Sequence, residues 1–492
     1  MKFKIKSLGI STGGILVALI NQKDASRLDI HAMDRIKLIR KNKIETVVVD
    51  IGKGNTIKHG YIGIFEEVFD SLNVKTNDIV DVIAARKPLS LDFIRKKLDG
   101  EKLSNKEIDQ IVWDIVHNKL SDIELTYFVA ACYTNVLTMD ETIQLIKSMV
   151  KYGEILKLDK YPIIDKHCIG GIPGNRTTLI LVPIIAAAGF AMPKTSSRSI
   201  TSPAGTADTM EVFCKVSFPI KKMKEIVKKA NACIVWGGAL NLAPADDKII
   251  RVEKPLEIDA ESQLLASIMA KKYSVSSTHI LIDIPVGNDA KVKTMLEAKK
   301  LKKGFETVGK KLRKKIKVMI TDGTKPIGNG IGPCLEARDI LWVLKRDSRR
   351  PKDLEEKCLI MAAEIFKMVG IKNGYHKAAN ILNSGKAYKK FIEIVKLQGG
   401  KELAPEKIKL GKITYDVVAK KSGLIIDIDN IVVSRIARVA GAPIDKSSGI
   451  YLQKHIGDKV KKGEKLYTIY SESREKLEYA KSIANDNYDY II

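Results

Sequence analysis

The chain has 492 residues, a length that accommodates about three domains with separate cores. Its 45% hydrophobic content indicates a globular protein and excludes a disordered one. The longest apolar run, residues 179–191, contains Pro183 and is too short to span a bilayer, so we expect no membrane segment. The first six residues alternate charged and apolar side chains, as a strand does and a signal peptide does not. We therefore expect a cytoplasmic protein.

The formal net charge of +26 is large enough to raise the question of a nucleic-acid partner. The lysines are spread along the chain, aromatic residues make up only 6%, and we recognise no nucleic-acid-binding module. A lysine-rich surface, as in proteins from hot environments, accounts for the charge better. We expect no nucleic-acid partner, and we expect the positive field to attract an anionic substrate.

The six cysteines form no CxxC pair, and the seven histidines show no metal-ligand spacing. This pattern predicts free, buried thiols in a reducing compartment and no metal site.

In chain order, residues 1–85 consist of short alternating segments separated by glycine, asparagine and aspartate turns. Examples are Lys2–Ile5, residues 47–50 and Tyr61–Ile64. Such spacing predicts a small β-barrel-like domain. We find no chemical constellation in it and expect a role in assembly.

Residues 86–158 have a helical pattern with three start signals, each a serine or threonine followed three residues later by glutamate. These capping boxes begin at Ser104, Ser121 and Thr138. They predict a helical lobe with amphipathic helices at 105–117, 122–135 and 139–152.

Residues 159–415 alternate short apolar runs with helical segments, which predicts a largely parallel sheet with ligands at its strand ends. The runs that we interpret as buried strands are residues 234–238, 279–287, 317–320 and 410–417. Residues 416–492 return to β patterning and predict a C-terminal β-rich α+β domain. The predicted fold class is a multidomain α/β protein, with a small N-terminal β domain, the helical lobe, a central mixed or parallel α/β phosphate-binding domain and this C-terminal domain.

Residues 165–211 contain two polar loops that together suit an anion. Lys166 precedes a glycine-rich turn, residues 170–178, and an apolar segment separates it from a second loop at 196–206. Backbone N–H groups at glycines, hydroxyls and cationic side chains all bind phosphate. Neither GxxxxGK[ST] nor GxGxxG occurs here, which argues against a nucleoside-triphosphate cradle. The alternative is two surface loops built of ordinary turn residues.

The same residues carry a family resemblance. Asp-Lys-His before Gly-Gly, then Ser-x-Arg and Gly-Thr-x-Asp-x-x-Glu, resembles the thymidine and pyrimidine-nucleoside phosphorylase family. Gly-Asn-Arg-Thr-Thr and Ser-Pro-Ala-Gly-Thr-Ala-Asp-Thr-Met-Glu are more similar to its archaeal AMP phosphorylase branch, which also has the N-terminal extension. The match continues at residues 266–272 and 325–338. The resemblance implies that the helical lobe also includes a helical pair at about 245–274.

The resemblance implies a phosphate site and a base site. Lys166, Ser196 and Thr206 fall on the family's phosphate positions, beside the backbone of Gly170 and Gly171. Cys168 departs from the family's serine, and a thiol is a weak donor, so either Thr177 or the backbone compensates or the phosphate lies elsewhere.

A nucleotide carries a second phosphate, on the ribose 5′ carbon, and needs a second anion site. The candidates are Ser197, Arg198, Ser199, Ile200, Thr201, Ser202 and Lys291. For Lys291 the alternative is a solvated lysine, since Lys293 and Lys299 follow closely.

The base site is implied at two positions, Asp259 and Ser267. We assign Asp259 as the general acid that protonates the leaving base, which requires a raised pKa. The alternative, a helix cap, is compatible with that role. Pyrimidine-specific relatives have an arginine where this chain has Val252 and a lysine where it has Pro285, and both departures favour a site that accepts a purine.

The resemblance implies AMP + phosphate → adenine + ribose 1,5-bisphosphate, with CMP and UMP as further substrates, in nucleotide salvage. No metal or organic cofactor is expected, since phosphate is the co-substrate, and a homodimer or larger homo-oligomer is expected. The nearest alternative is a thymidine or pyrimidine nucleoside phosphorylase acting on non-phosphorylated nucleosides. Two further alternatives are a Mg²⁺-dependent enzyme similar to anthranilate phosphoribosyltransferase and a basic RNA-binding protein.

Overall fold

A computed structural model describes residues 1–13, 15–54, 56–85, 87–199, 202–253, 255, 260–486 and 489–492. The chain divides into two compact units. Unit 1 comprises Met1–Tyr152 and Ala243–Ser267, and unit 2 comprises Gly153–Leu242 and Ile268–Ile492. In these described ranges no helix is both long and apolar enough to cross a membrane.

Unit 1 begins with a closed six-stranded barrel in the order β1-β5-β2-β4-β3-β6. Alternate side chains point inward, as the period of a strand requires, and Phe3, Ile20 and Leu38 are among those that fill its core. The barrel elements are β1 (Lys2–Ser7), β2 (Val17–Asn21), α1 (Gln22–Leu28), β3 (Arg35–Arg40), β4 (Lys43–Gly52), β5 (Tyr61–Ile64), α2 (Glu66–Leu72) and β6 (Ile79–Ala84).

The rest of unit 1 is helical. All three predicted capping boxes form: in each, the serine or threonine side chain accepts from the glutamate N–H and the glutamate accepts in return. The helices are α3 (Ser90–Leu98), α4 (Asn105–Val116), α5 (Asp122–Thr134), α6 (Met139–Lys151) and α10 (Pro244–Glu253). Helix α10 packs on α4, α5 and α6.

Helix α5 is not the amphipathic helix that the sequence pattern predicted. Its buried side includes Leu125 and Phe128, but Ile123, Tyr127 and Tyr133 are each more than half exposed on the other side. Apolar side chains therefore lie on both the buried and the exposed side of the helix, so the capping box located its start correctly while its periodicity gave no separate polar face.

Unit 2 contains the parallel sheet. Strands β11, β10 and β7 are hydrogen-bonded in that order and run parallel, and β8 and β9 form a second parallel pair. A parallel bridge between Ile163 and Ala191 connects the ends of the two groups. The strands are β7 (Ile164–Cys168), β8 (Met192–Ser196), β9 (Ala232–Trp236), β10 (His279–Val286) and β11 (Lys315–Asp322).

Helices surround this sheet, and α7 packs directly on it with nine of its residues buried. They are α7 (Thr178–Ala187), α8 (Thr206–Met210), α9 (Ile220–Ala230), α11 (Glu261–Ser274), α12 (Met295–Lys311), α13 (Pro333–Lys345), α14 (Lys352–Met368), α15 (Gly374–Asn383) and α16 (Lys386–Leu397). The residues of α11 belong partly to each unit.

The C-terminal part of unit 2 is an antiparallel sheet in the order β12-β16-β18-β13, with two short strand pairs and two helices. Its core includes Ile436, Ile450 and Tyr467. The elements are β12 (Gly330–Ile331), β13 (Ile413–Val418), β14 (Gly423–Leu424), β15 (Asp427–Ile428), α17 (Asn430–Val439), β16 (Gly449–Leu452), β17 (Lys459–Val460), β18 (Lys465–Ser471), α18 (Arg474–Asp486) and β19 (Tyr490–Ile491).

The interpretation of residues 410–417 as a strand like those of the parallel sheet is wrong. Strand β13 pairs antiparallel with β18, and its residues alternate between partly buried and exposed except at Val417. A half-exposed antiparallel strand needs such alternation, whereas a strand covered by helices on both faces does not. The predicted multidomain α/β fold class is confirmed, while the exact bounds of the four domains stay predictions.

Candidate active site

The carboxyl ends of β7 and β10 bring ionisable side chains to one edge of the parallel sheet. Lys166 pairs with Leu281 and Cys168 with Asp283 in the parallel register, so the side chains of all four point to the same face. The carboxyl edge of such a sheet is where ligands bind.

Lys166 is 2% exposed, and its ammonium group donates to the Thr177 hydroxyl over 2.8 Å. Thr177 itself is fully buried at the N-terminus of α7. A buried ammonium group that donates to a neutral hydroxyl retains further N–H donors, and burial strengthens its attraction to an anion. The lysine that we predicted for phosphate therefore lies where it can donate to one.

Asp283 supplies negative charge on the same face. Its carboxylate lies 3.3 Å from the ammonium of Lys357 on α14 and accepts from the Thr321 hydroxyl over 2.6 Å. Burial alone would raise the pKa of Asp283, but the charges of Lys166 and Lys357 and the Thr321 hydrogen bond outweigh it and lower the pKa. Burial raises the pKa of the adjacent Cys168 thiol to about 11, so this thiol stays protonated at neutral pH.

The glycine-rich turn follows directly. Gly170 and Gly171 have φ values of +104° and +99°, which side chains rarely adopt. A Cβ on Gly171 would lie 2.6 Å from the backbone nitrogen of Lys291. This close approach brings the loop after β10 against the turn, and it places the exposed Lys291 next to it.

The opposite face of β7 carries a second group of charges. The buried carboxylate of Asp165 lies 2.9 Å from Lys272 and 3.9 Å from Lys194. The pKa of Lys194 is lowered to about 7, chiefly by burial. Repulsion from Lys272 also lowers this pKa, by more than the attraction of Asp165 raises it. Burial and the same lysines lower the pKa of His167 well below its ordinary value, so its imidazole is neutral.

Ser196 ends β8, and the second polar loop begins there. The Ser196 hydroxyl is buried and has no hydrogen-bond partner within the described part of the chain. A buried hydroxyl without a partner costs free energy, so the site favours a ligand that would accept from it. The candidate Thr206 lies at the other end of the loop, as the first residue of α8.

Asp208 organises the polar loop. Its carboxylate accepts from the backbone N–H of Ser199 over 2.7 Å and from that of Gly205 over 2.8 Å. The Ser199 hydroxyl donates to the carbonyl of Ser202, whose own hydroxyl donates to the Ala204 carbonyl. The described part of the loop is closed by its own hydrogen bonds, with Ser197 and Ser202 exposed and Arg198 partly exposed.

Arg198 is held by two carboxylates. Its guanidinium donates to Glu211 over 2.7 and 2.9 Å and to Asp208 over 3.1 Å, and it lies 4.9 Å from the ring centre of Trp236. Its side chain is still 35% exposed. A phosphate would therefore have to compete with Glu211 and Asp208 for this arginine.

Arg176, in the glycine-rich turn, is not available to a ligand. It is buried, donates to Glu336 on α13 over 2.6 Å, and also donates to the carbonyl of Ala204. Thr209 donates to the same Glu336 oxygen over 2.7 Å. This arginine ties the turn to the second polar loop and to α13, so its role is structural.

Three of the predicted site residues, Ile200, Thr201 and Asp259, lie outside the described residues. Ser267 belongs to unit 1, where its hydroxyl donates to Asp246 over 3.0 Å. The remaining candidates Lys166, Gly170, Gly171, Ser196, Ser197, Arg198, Ser199, Ser202, Thr206 and Lys291 all belong to unit 2.

Sequence reasoning missed the side chains that support these candidates. Asp283, Lys357 and Lys272 are distant in sequence from the glycine turn, and only the strand register and the packing of helices bring them near it. Asp283 did have one sequence signal, because it lies in an otherwise apolar buried strand. In the described residues no group of histidine, cysteine or acidic side chains has the geometry of a metal site, and the six cysteines are free thiols.

Three protein-family models match the chain. A "Glycosyl transferase family, helical bundle domain" model matches residues 91–153, and the "Glycosyl transferase family, a/b domain" model matches residues 160–388. A "Pyrimidine nucleoside phosphorylase C-terminal domain" model matches residues 424–491.

Similar proteins cover almost the whole chain. A protein of Thermofilum pendens named AMP phosphorylase is 44% identical over 99% of this chain and 94% of its own length. An AMP phosphorylase of Thermococcus kodakarensis is 46% identical over 98% of this chain and 95% of its own. The crystal structure of anthranilate phosphoribosyltransferase from Thermus thermophilus is similar with a TM-score of 0.53, covering 63% of this chain and all of that one. At 17% identity, this last likeness concerns the fold alone.

Proposed function

Because the chain belongs to the AMP phosphorylase family, we propose that it converts AMP and phosphate to adenine and ribose 1,5-bisphosphate. CMP and UMP are proposed as further substrates. The observation that carries this proposal is the close approach of the Lys291 backbone to Gly171. It brings the backbone of a second cationic residue beside the turn that follows Lys166, and this supports a second anion site for a substrate with two phosphates.

The phosphate site consists of Lys166, the backbone of Gly170 and Gly171, Ser196 and Thr206. The buried ammonium of Lys166 donates to the neutral Thr177 hydroxyl, and the Ser196 hydroxyl is buried with no partner among the described residues, so an anion would accept from both. A bound phosphate oxygen attacks the anomeric carbon as the bond to the base breaks, and the negative phosphate stabilises the positive charge that develops on the ribose.

The 5′-phosphate site consists of Arg198, Lys291 and the hydroxyls and backbone of the polar loop, Ser197, Ser199, Ile200, Thr201 and Ser202. Exposure of Arg198 and Lys291 supports this assignment, because a nucleotide must reach both from solvent. The base site consists of Ser267 and Asp259. Asp259 delivers a proton to the leaving adenine, so that the base departs neutral.

The remaining parts of the proposal concern the setting of the reaction. The enzyme needs no metal or organic cofactor, acts in the cytoplasm in nucleotide salvage, and forms a homodimer or larger homo-oligomer. Phosphate is consumed as co-substrate and no nucleic acid takes part.

The test is the phosphate-dependent release of free base from AMP, CMP, UMP, adenosine, uridine and thymidine. We expect release from the monophosphates, at an unchanged rate when EDTA is present. Release from nucleosides alone would favour the pyrimidine nucleoside phosphorylase, and inhibition by EDTA would favour a Mg²⁺-dependent phosphoribosyltransferase.

Lys291→Ala tests the second phosphate site, with Lys293→Ala as the matched control, since Lys293 is an exposed lysine two residues away. Losing one charge-assisted contact to phosphate should lower kcat/KM for AMP about tenfold. The kcat/KM for adenosine should stay within about twofold, and Lys293→Ala should leave both unchanged. Equal losses for AMP and adenosine would remove Lys291 from the 5′-phosphate site.

A further inference from the structure

Glu211 is shared between the polar loop and the C-terminal part of unit 2. One of its carboxylate oxygens accepts from Arg198 over 2.9 Å and from Lys446 over 2.8 Å, and the other accepts from Arg198 over 2.7 Å. The two cations together lower the pKa of Glu211 to about 2, and the hydrogen bond from Arg198 is the largest single cause. The carboxylate is therefore ionised and bound by two competing donors.

Lys446 reaches this position from a segment with a well-anchored backbone. Its carbonyl accepts from the N–H of Cys334 at the start of α13 over 3.0 Å, and the next carbonyl, of Ser447, accepts from Gly411 over 2.9 Å. The Lys446 side chain is 39% exposed, so its flexible stem can follow Glu211 while its backbone stays in place.

Arg198 directs three of its five N–H donors to carboxylates, and both hydrogens of its Nη1 are engaged, so it must give up carboxylate hydrogen bonds to present both terminal nitrogens to a substrate phosphate. Asp208 is held by two backbone N–H groups of the polar loop, so the Arg198–Asp208 bond anchors the arginine to its own loop. The bonds to Glu211 have no such anchor and are the ones that Arg198 can exchange. A carboxylate that loses its arginine next to an incoming phosphate dianion is unfavourable unless another cation stays with it.

We propose that Lys446 is a positioning residue for nucleotide recognition, which retains Glu211 when Arg198 turns from that carboxylate to the 5′-phosphate of the substrate. The inference rests on the proposed function, and it gives the C-terminal domain a part in substrate binding. It concerns the step in which the nucleotide binds. The bond-breaking step is unaffected.

Lys446→Met removes the charge but keeps much of the aliphatic stem. Without Lys446, Glu211 depends on Arg198 alone and holds it more strongly, so KM for AMP should rise about two- to fivefold, the effect of one partly exposed ion pair. The kcat for AMP, KM for phosphate and KM for adenosine should stay unchanged. Lys446→Arg should restore the KM for AMP.

Lys476→Met is the matched control, because Lys476 forms an ion pair with Asp445 over 2.6 Å and is 45% exposed. It should leave KM for AMP unchanged. A second comparison places Lys446→Met in an Arg198→Met background, where its effect on KM for AMP should disappear because there is no arginine to release.

Several outcomes would overturn the inference. They are an unchanged KM for AMP in Lys446→Met, an equal rise for adenosine, a rise of the same size in Lys476→Met, or an effect that persists without Arg198. Wild-type enzyme that releases no base from AMP would overturn the proposed function itself, and this inference with it. Thermal unfolding of each variant shows whether a loss of folding accounts for any change.

Discussion

Lys194 is a buried lysine in a cluster that has more cations than anions. Asp165 is the acidic group that faces it, while Lys272 lies against the same carboxylate from α11 and the charge of Lys166 further lowers the pKa of Lys194. Burial lowers the pKa of Lys194 from an ordinary value near 10.5 to about 7. Such a group links the stability of the protein to pH.

We predict that the stability difference between Lys194→Met and the wild type decreases as the pH rises from about 7 to about 10. In this range the unfolded wild-type lysine keeps a proton that the folded one loses, so wild-type stability rises with pH. At about pH 7 and below both states hold the proton, and the cost of burying the charge is greatest. The Lys194→Met variant has no such cost, so its gain in stability relative to the wild type is largest at about pH 7 and below.

Urea unfolding of both proteins at pH 6.5, 8 and 9.5 measures this trend. The exposed Lys229 provides the control, since Lys229→Met should follow the wild type at every pH. A difference between Lys194→Met and wild type that does not vary with pH would contradict the prediction.

At the scale of single elements, the capping boxes connect helix starts with the surrounding lobe. Glu141 in the third box also accepts from the N–H of Leu103 over 2.8 Å and lies 3.1 Å from the buried ammonium of Lys97. A sequence motif that satisfies the N-terminus of α6 thus also neutralises a buried lysine on α3.

Thr138→Ala should lower the free energy of unfolding by about 1 kcal/mol, because the Glu141 N–H loses its side-chain partner. Thr134→Ala at the end of α5 is the comparison: its exposed hydroxyl donates to carbonyls of its own helix and accepts a long, 3.5 Å hydrogen bond from the Asn135 amide, and we expect a change below about 0.5 kcal/mol. Denaturant unfolding monitored by circular dichroism measures both. Equal values would show that the cap of α6 contributes nothing specific.

The glycine-rich turn depends on close backbone approach as much as on glycine's freedom of conformation. Gly174 has a φ of +70°, and a Cβ there would overlap the carbonyl oxygen of Ile327. Gly189 has a φ of +94° with no atom within 4 Å of its would-be Cβ. The two glycines share a left-handed backbone and differ in packing.

Gly189→Ala should therefore cost only the backbone strain, about 1 kcal/mol. Gly174→Ala should cost about 1–3 kcal/mol more, because the loop that contains Ile327 must move. The free energies of unfolding of the two variants provide the test. If the two substitutions cost the same, the close contact at Gly174 is not a constraint on the turn.

At the scale of the whole molecule, the net charge of +26 produces a positive field that attracts anionic substrates. We predict that KM for AMP rises between 50 and 500 mM NaCl, conditions in which the Debye length falls from about 14 to about 4 Å. The KM for adenosine, which is neutral, should change far less. Initial rates at saturating phosphate measure both, and equal salt dependence would show that the field does not act on the nucleotide.

Local patterns were sufficient to predict the helix starts, the glycine turn and most strands. Capping boxes involve residues three apart, and strand alternation involves every second residue, so both can be recognised from the amino-acid sequence alone. Helix α5 was misjudged although its own residues show no amphipathic period, whereas strand β13 was misjudged because its antiparallel partner β18 comes from a distant segment.

The sequence by itself determined the family, the fold class and the lysine and glycines of the expected anion site, because these depend on contiguous motifs. The tertiary structure alone decided which charges face one another. Parallel register aligns Asp283 with Cys168, a helix brings Lys272 to Asp165, and Lys446 comes from 235 residues away to reach Glu211. Electrostatic interactions depend on distance in space and on burial, and neither is encoded in the local order of residues.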